Sequence, residues 1–352
     1  MNGENLMRID RFAATIGAAM LLLAGAPARA DDVVNVATAR DNPKLFELFT
    51  QRTGIKVNVL QERPEQTIAR LEGATTPAPD VVMGGDLASL VRLREAGVFA
   101  PYSSPRIDER IPAHLRDPGG LWFGLMFRGR AIFYNPSLLP KAPERYEDLA
   151  SDALRGKVCI GSGRSPYNIA FLAGLVAYDG EAGAEAWARG MVANRAEAPD
   201  GHDPVQILNV GAGRCAVTLV QHYYYLILKS QDKPENREAL EQVKLVWPNQ
   251  EDRGVALNAS GAGLAKGARN AEAAAKLLDF LVSDEAQAAL SAGRFFPAAS
   301  SQSPSGDLAS LGRPKVDAVD PSRIGEQLGA ARAIVDRVGW PSPAPGRAAP
   351  PR

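Results

Sequence analysis

The sequence predicts an α/β protein of two lobes, each with a mixed or parallel sheet flanked by helices, and with a hinge between them. Apolar strand-like segments alternate with helical segments, which is the pattern of sheets covered by helices. The alternation occurs in two blocks, and an extended apolar segment lies between the blocks. The length of 352 residues also exceeds the number of residues that a single hydrophobic core usually supports, so about two domains are expected.

The first block opens with Val33-Val34-Asn35-Val36-Ala37-Thr38-Ala39, an apolar run typical of a buried strand. The segment 122–134 is apolar but carries Arg128 and Arg130, and we expect it to be extended and to cross between the lobes. Between these two segments we predict strands at 55–59 and 79–83 and helices at 43–52, 65–71 and 87–96. Because strands and helices alternate, a parallel sheet is expected in this block.

The second block, from Pro136 to Gln250, repeats the alternation. We predict strands at 157–160, 216–220 and 244–247 and helices at 170–178, 183–193, 205–210 and 238–242. Helices at 270–281, 283–292 and 321–338 follow, the last within a segment rich in Ser, Pro and Gly.

The chain is therefore expected to divide into five parts. These are a signal peptide (1–30), a first lobe (31–130 plus 258–300), a second lobe (131–257), a C-terminal helical segment packing on the lobes (301–340) and a disordered tail (341–352).

The first thirty residues have the pattern of a secretory signal peptide. Arg8 and Arg11 precede an apolar stretch from Phe12 to Ala26, and Ala28-Arg29-Ala30 provides a cleavage site. A membrane anchor is the alternative, but the apolar stretch is short for a membrane span. The sequence thus predicts an exported protein that starts near Asp31.

The charge balance gives no reason to expect nucleic acid or anionic membrane as a partner. The 40 basic and 40 acidic residues of the chain include three arginines and two acids within 1–30, so the exported chain has 37 basic and 38 acidic residues. A net charge near zero provides no bulk electrostatic attraction to polyanions.

Cys159 and Cys215 are the two cysteines of the chain, and each begins a strand-like apolar run. An even pair in an exported protein favours a structural disulfide. Buried free thiols and redox chemistry are the alternatives, although a redox site normally has a closely spaced Cys-x-x-Cys pair.

Tyr223-Tyr224-Tyr225 is the most informative motif, since the chain has only eight tyrosines. The three follow the apolar run 215–220, and adjacent residues of a strand point to opposite sides. We therefore expect a turn after the strand to direct two phenols into one cleft. Phenolates are hard oxygen donors with a pKa near 10, so only a strongly polarising cation such as ferric iron makes two of them useful together.

Five stretches carry a resemblance to a known family. They are Arg110-Ile111-Pro112-Ala113-His114-Leu115-Arg116-Asp117-Pro118, Trp122-Phe123-Gly124-Leu125, Gly156-Lys157-Val158-Cys159-Ile160, Trp247-Pro248-Asn249-Gln250 and Ser260-Gly261-Ala262-Gly263. With the tyrosines, they resemble the periplasmic ferric-iron-binding proteins of ABC iron-uptake systems over nearly all of residues 33–340. The resemblance implies a type II periplasmic binding protein fold, a cargo of Fe(III), and delivery to an ABC permease of the inner membrane by a monomer.

By position, the resemblance implies that Tyr223 and Tyr224 are paired metal ligands and that Tyr167 is a third ligand. Tyr225 falls where relatives usually have an aliphatic residue, and we expect it to pack nearby or to support the ligands without touching the metal. An aromatic wall for an organic ligand and ordinary packing are the alternatives for Tyr223 and Tyr224, and a cleft or loop tyrosine without a ligand role is the alternative for Tyr167.

One departure from the family lies at Arg40-Asp41-Asn42, where relatives carry a His-Tyr pair. Asp41 is a candidate oxygen ligand, with a helix N-cap as the alternative. Arg40 and Arg128 are candidates to bind a synergistic anion such as carbonate, with salt bridges as the alternative.

Other polar residues are weaker candidates. Asp86 is expected to cap a helix, and His114 to be structural. His202, His222, Glu62 and Glu65 are minor ligand candidates, with His222 expected to point away from the tyrosines.

Enzyme motifs of hydrolases, zinc proteases and P-loop proteins do not occur, so no catalysis is expected. The runs Gly161-Ser162-Gly163 and Gly261-Ala262-Gly263 are expected to be Gly-rich turns that admit an anion. Two other functions stay open: a protein of the same fold that binds a small anion or chelated metal, and an exported sensor ligand or scaffold with no metal.

Overall fold

The computed structural model describes residues 33–196, 202–319 and 321–342. The predicted signal peptide (1–30) and most of the predicted tail (343–352) lie outside the described residues. Within them, the strands form one ten-stranded sheet. The strands are β1 (Val33–Thr38), β2 (Lys56–Gln61), β3 (Val81–Gly84), β4 (Phe99–Ala100), β5 (Phe123–Tyr134), β6 (Val158–Cys159), β7 (Val217–Gln221), β8 (Lys244–Val246), β9 (Leu257–Ala265) and β10 (Phe296–Pro297).

Thirteen α-helices cover the sheet within the described residues. They are α1 (Pro43–Thr53), α2 (Pro64–Glu72), α3 (Leu87–Glu95), α4 (Pro105–Arg110), α5 (Pro166–Asn194), α6 (Asp203–Gly211), α7 (Tyr223–Ser230), α8 (Pro234–Glu241), α9 (Ala271–Leu281), α10 (Asp284–Ser291), α11 (Gly306–Ser310), α12 (Pro321–Glu326) and α13 (Leu328–Arg337). In α5, Gly180 has φ 77° and ψ 169°, so it breaks the helix between the two segments that the sequence predicts.

The sheet is mixed, with the order β2-β1-β3-β9-β5-β7-β6. The expectation of a parallel sheet in the first block is correct for β1, which is parallel to β2 and β3. It is wrong at the centre, because β9 follows the second block in sequence and inserts antiparallel between β3 and β5. Strand β5 also runs antiparallel to β7, while β6 and β7 are parallel.

Strand β5 joins the two halves of the molecule, as the sequence predicts. Its residues 123–129 pair with β9, and its residues 130–134 pair with β7. We call the part built on β1–β4, β9 and β10 the first lobe, and the part built on β6–β8 the second lobe. The residue boundaries of the lobes stay a prediction.

Each lobe has its own apolar core. In the first lobe, Leu45 and Phe49 of α1 share a core with Leu277 of α9, and all three side chains are completely buried. In the second lobe, Leu172 and Trp187 of α5 pack with other side chains in the core formed against α13. Separate cores along one sheet are the packing expected for two domains joined by crossing strands.

The C-terminal segment packs between the lobes. Arg323 of α12 donates to the Ala177 carbonyl of α5 at 2.9 Å. Gly325 lies so close to Val91 of α3 that a Cβ at this position would clash with both Val91 methyl groups. The predicted helix 321–338 is divided into α12 and α13 at Gln327.

Two further predictions concern local structure. Cys159 and Cys215 form a disulfide with Cα atoms 5.7 Å apart, which confirms the predicted disulfide. The run Ser260-Gly261-Ala262-Gly263 is not a turn but lies inside β9. Gly261 is required there because its Cβ would lie 2.5 Å from the Phe123 carbonyl oxygen of the neighbouring strand. Among the helices of the described residues, none has the length and apolar character that a membrane span requires.

Candidate metal site

The three candidate tyrosines lie at the N-terminal ends of two helices of the second lobe. Tyr167 is the second residue of α5, after Pro166, whose fixed φ suits the start of a helix. Tyr223 and Tyr224 are the first residues of α7, which follows β7 after His222. The parallel arrangement of β6 and β7 places the loops that follow both strands at one edge of the sheet.

The prediction of a turn at Tyr223-Tyr224-Tyr225 is wrong, because these residues are helical. Successive side chains of an α-helix point about 100° apart, whereas those of a strand point about 180° apart. Tyr223 and Tyr224 can therefore occupy one side of α7. Tyr225 turns away and stacks on Phe133 with ring centroids 5.8 Å apart, in agreement with its expected packing role.

The three phenols form one cluster. The hydroxyl oxygens of Tyr167 and Tyr223 lie 3.2 Å apart. The ring centroids of Tyr223 and Tyr224 are 4.3 Å apart, and those of Tyr167 and Tyr224 are 6.4 Å apart. Tyr223 is buried, while Tyr167 and Tyr224 are half-buried. The cluster is thus largely shielded from solvent, while parts of Tyr167 and Tyr224 stay accessible.

Two phenols of the cluster, Tyr223 and Tyr224, retain their protons in the absence of a strong cation. Burial raises the pKa of the Tyr223 phenol far above its ordinary value, and the neighbouring Tyr167 and Tyr224 raise it further. Burial also raises the pKa of Tyr224, with added contributions from Tyr167 and from the carboxylate of Asp203. A ligand that needs phenolates must therefore supply enough positive charge to displace these protons.

Arg128 is a buried cation beside the tyrosines. Its Nη1 donates to Ser260 Oγ at 3.1 Å and its Nη2 donates to the Gly85 carbonyl at 2.9 Å. Within the described residues, its buried Nε has no hydrogen-bond partner. Burial lowers the pKa of the guanidinium, and the phenols of Tyr167 and Tyr223 act in the opposite direction. The guanidinium is therefore in electrostatic contact with the phenol cluster.

Arg40 and Asp41 are exposed at the end of β1. The Arg40 backbone N–H donates to Thr38 Oγ1 at 3.3 Å, and the charge of Arg40 lowers the pKa of Arg128. The alternative of Asp41 as the helix cap is wrong, because the Asn42 side chain accepts from Leu45 N and caps α1. Among the described contacts, none joins Asp41 to the tyrosines.

A buried ion pair behind Tyr224 is a feature that the sequence interpretation missed. Arg130 Nη1 lies 3.6 Å from Asp203 Oδ2, and both side chains are almost completely buried. Arg130 Nη2 also donates to Asn168 Oδ1 at 2.7 Å and to the Leu219 carbonyl at 2.8 Å. The one available signal was an arginine within an apolar strand, since a buried charge generally requires a partner.

The weaker candidates are held by other partners. Glu62 pairs with Arg70 at 2.5 Å, and Glu65 pairs with Arg92. Asp86 caps α3 as predicted, accepting from Ser89 N at 2.8 Å. Two of the three histidines are half-buried. His114 lies in a short 3-10 helix, and His202 lies at the start of α6.

His222 is completely buried, and both of its ring nitrogens lie within hydrogen-bond distance of backbone groups. It contacts Tyr223 at an interplanar angle of 90°, with ring centroids 6.3 Å apart. In the described residues, no group of three or more His, Cys, Asp or Glu side chains is arranged to hold a metal ion.

Comparison with known proteins identifies a family. Residues 76–315 match the family model described as bacterial extracellular solute-binding protein. Iron uptake protein A1 of Synechocystis is 38% identical over 301 residues, which cover 84% of this chain and 83% of that protein. Iron uptake protein A2 of the same organism is 32% identical over 338 residues, covering 91% of this chain and 94% of that protein.

Solved structures give the same result. Trichodesmium FutA (IdiA), in complex with iron and citrate ligands, aligns with a TM-score of 0.82 and 38% identity, covering 88% of this chain and 99% of that chain. The Bordetella ferric binding protein aligns with a TM-score of 0.81 and 34% identity, covering 88% of this chain and 100% of that chain. These alignments confirm the predicted α/β fold of two lobes, the type II periplasmic binding protein fold.

Proposed function

Because this chain belongs to the bacterial extracellular solute-binding proteins, we propose that it captures ferric iron in the periplasm and delivers it to an ABC importer. The observation that carries the proposal is the 3.2 Å separation of the Tyr167 and Tyr223 hydroxyl oxygens. Oxygen ligands bind small, highly charged cations at about 2 Å, so two ligands of one ion at a right angle lie about 3 Å apart. The two phenols are thus spaced for a single ion.

The proposed metal ligands are Tyr167, Tyr223 and Tyr224. Three phenolates carry the charge that neutralises a trivalent cation, and a hard cation prefers oxygen donors. Neutral phenols raise a barrier to weaker cations, because each ligand must lose its proton on binding. The named iron ligand of the Trichodesmium relative and the names of the Synechocystis relatives support iron as the cargo.

Arg40 and Arg128 are proposed to hold a synergistic anion such as carbonate on the first-lobe side. Three tyrosine oxygens leave positions open on a six-coordinate ion, and Arg40-Asp41-Asn42 replaces the His-Tyr pair expected by resemblance. A guanidinium binds planar oxyanions through paired hydrogen bonds. The unpartnered Nε of Arg128, within the described residues, is consistent with this role.

The cellular setting of the proposal is the periplasm. The predicted signal peptide and the named relatives, among them the Fe(3+)-binding periplasmic protein of Serratia marcescens, support export. We propose a monomer without catalytic activity that meets an inner-membrane permease. Movement of the lobes about β5 would cover and release the cargo.

Equilibrium dialysis of the metal-free protein against ferric citrate tests the proposal. We expect one tightly held iron per chain, strongly reduced retention by Tyr223→Phe, and wild-type retention by Tyr225→Phe. The second substitution is a matched control, because Tyr225 belongs to the same run but packs its ring on Phe133. Equal retention by both variants would refute the tyrosine site.

The two arginines favour one rival: a protein that binds a small anion or a chelated metal, with the tyrosines as an aromatic wall. Phenylalanine preserves a ring but removes an oxygen. Binding that survives Tyr223→Phe and is lost with Arg128→Gln would therefore favour the rival, while loss of binding in Tyr223→Phe supports direct metal ligation.

A further inference from the structure

The segment around Phe295 brings the first lobe into contact with the tyrosine cluster. The Phe295 ring packs on the Tyr223 ring with centroids 5.0 Å apart and an interplanar angle of 52°. Phe295 directly precedes β10, which pairs with β5 opposite Phe127 and Met126. Tyr223 belongs to the second lobe, so this contact spans the two lobes.

His222 fixes the backbone of this segment. The Gly129 N–H of β5 donates to Nδ1 of His222 at 3.2 Å, so the ring proton resides on Nε2. Nε2 then donates to the Arg294 carbonyl at 3.1 Å. The His222 ring also packs on Phe296 with centroids 4.9 Å apart. The buried His222 imidazole thus connects strand β5, the start of α7 and the residue before Phe295.

The Arg128 guanidinium restricts the Phe295 ring as well. The Arg128 guanidinium carbon lies 5.9 Å from the centroid of the Phe295 ring. Phe295 therefore stands among a cation, a phenol and a backbone anchored by His222. Because the Phe295 ring is held in place, it limits the rotation of the Tyr223 ring. The Tyr223 hydroxyl lies within hydrogen-bond distance of the Tyr167 hydroxyl.

We infer that Phe295, anchored through His222 and Arg294, is a positioning residue that holds the Tyr223 phenol in the orientation needed for metal binding. This inference rests on the proposed function. On this inference, the first lobe contributes an apolar contact to the metal site. Its segment Arg40-Asp41-Asn42 lacks the His-Tyr pair that the resemblance leads us to expect. Phe295 acts through Tyr223, and the inference does not require it to touch the metal.

The test is Phe295→Ala, with the visible spectrum of the ferric protein and the rate of iron release to a strong chelator as readouts. Loss of an aromatic pair predicts release about tenfold faster. The tyrosinate-to-iron band should also shift, because a reoriented phenolate overlaps differently with the metal. Phe295→Leu, which keeps most of the bulk, should release iron at an intermediate rate.

Phe280→Leu is the control for a purely structural effect. Phe280 packs on Phe49 with centroids 5.5 Å apart inside the first-lobe core, so this variant should lower thermal stability without changing the band or the release rate. Wild-type band and release rate in Phe295→Ala would overturn the inference while leaving the proposed function intact. Absence of any band in the wild-type protein would overturn both.

Discussion

The hydroxyl oxygens of Tyr167 and Tyr223 lie 3.2 Å apart, although 56 residues separate them in the chain. Two helix starts, α5 and α7, bring them together at the edge of the second-lobe sheet. Neutral phenols at this distance share one hydrogen bond. After deprotonation, the two oxygens would repel each other unless a cation lay between them.

Tyr167→Phe tests the contribution of the third phenol. Removal of one ligand oxygen should weaken iron retention by more than about 100-fold, since even outer-shell changes at metal sites cost 10- to 100-fold. Thermal stability should change little, because Tyr167 is half-buried and its hydroxyl bonds only to the phenols of Tyr223 and Tyr224 among the described contacts. Competition with a chelator of known affinity measures the loss.

Tyr178→Phe is the matched control on the same helix. Tyr178 is 51% exposed, and its ring lies 4.2 Å from the Arg253 guanidinium, a contact that phenylalanine retains. Wild-type iron affinity is expected. A similar affinity for both variants would show that Tyr167 is not a ligand.

Iron affinity should rise with pH through the neutral range. Burial raises the pKa of Tyr223 and of Tyr224, so both are protonated in the metal-free protein. Metal binding must then release at least two protons, and each one makes the affinity change about tenfold per pH unit. Dissociation constants at pH 6, 7 and 8, corrected for the protonation of the competing chelator, measure the slope. A pH-independent constant would contradict ligation by phenolates.

Gly325→Ala should destabilise the contact between α12 and α3. The new Cβ would clash with the methyl groups of Val91, whose β-branched side chain has little freedom to move. Overpacking of this kind costs about 1–3 kcal/mol. Urea unfolding measures the change in the free energy of unfolding.

Gly329→Ala in the neighbouring α13 is the control for that variant. Outside its own helix backbone, none of the described atoms lies within 4 Å of the position that its Cβ would take, so helix propensity should leave the protein as stable or up to about 1 kcal/mol more stable. Equal free energies of unfolding for Gly325→Ala and wild type would contradict the close contact between α12 and α3.

His222 should make the metal-free protein less stable in acid. Burial lowers the pKa of His222 to about 4. In the unfolded chain its pKa is about 6.5, so below this pH the unfolded state binds a proton at His222 while the folded state keeps the imidazole neutral. Stability should therefore fall between pH 6.5 and 4, by at most about 3 kcal/mol from this group.

His222→Gln isolates that contribution, because all other titrating groups are shared with the wild type. The variant is less stable at pH 7 but should lose less stability on acidification. Urea unfolding at pH 7, 5.5 and 4.5 measures the difference between the two proteins. A difference that stays constant with pH would contradict a neutral, buried His222.

Most strands and helices could be predicted from periodicity, and the errors have specific causes. Tyr223 to Leu228 contains aromatic residues and Ile227, which favour strands locally, but the buried Tyr223 and Leu226 are three residues apart, as on one face of a helix. Ser260-Gly261-Ala262-Gly263 has the composition of a turn. Its glycines instead permit close approach of β5 to β9, which no local property reveals.

The candidate site shows the same limit. The tyrosine run and the family resemblance indicated which side chains to consider, including Arg128. Phe295 and the Arg130–Asp203 ion pair were not predicted, because each depends on a contact between segments distant in sequence. Local periodicity provides no information on such pairs.

The most direct test of ferric iron binding is a visible absorption titration of the chelator-stripped mature protein with ferric citrate. We predict a tyrosinate-to-iron charge-transfer band that saturates at one equivalent and is lost in Tyr223→Phe. Absence of this band, in protein that is folded and retains the Cys159–Cys215 disulfide, would contradict iron capture by the tyrosine cluster.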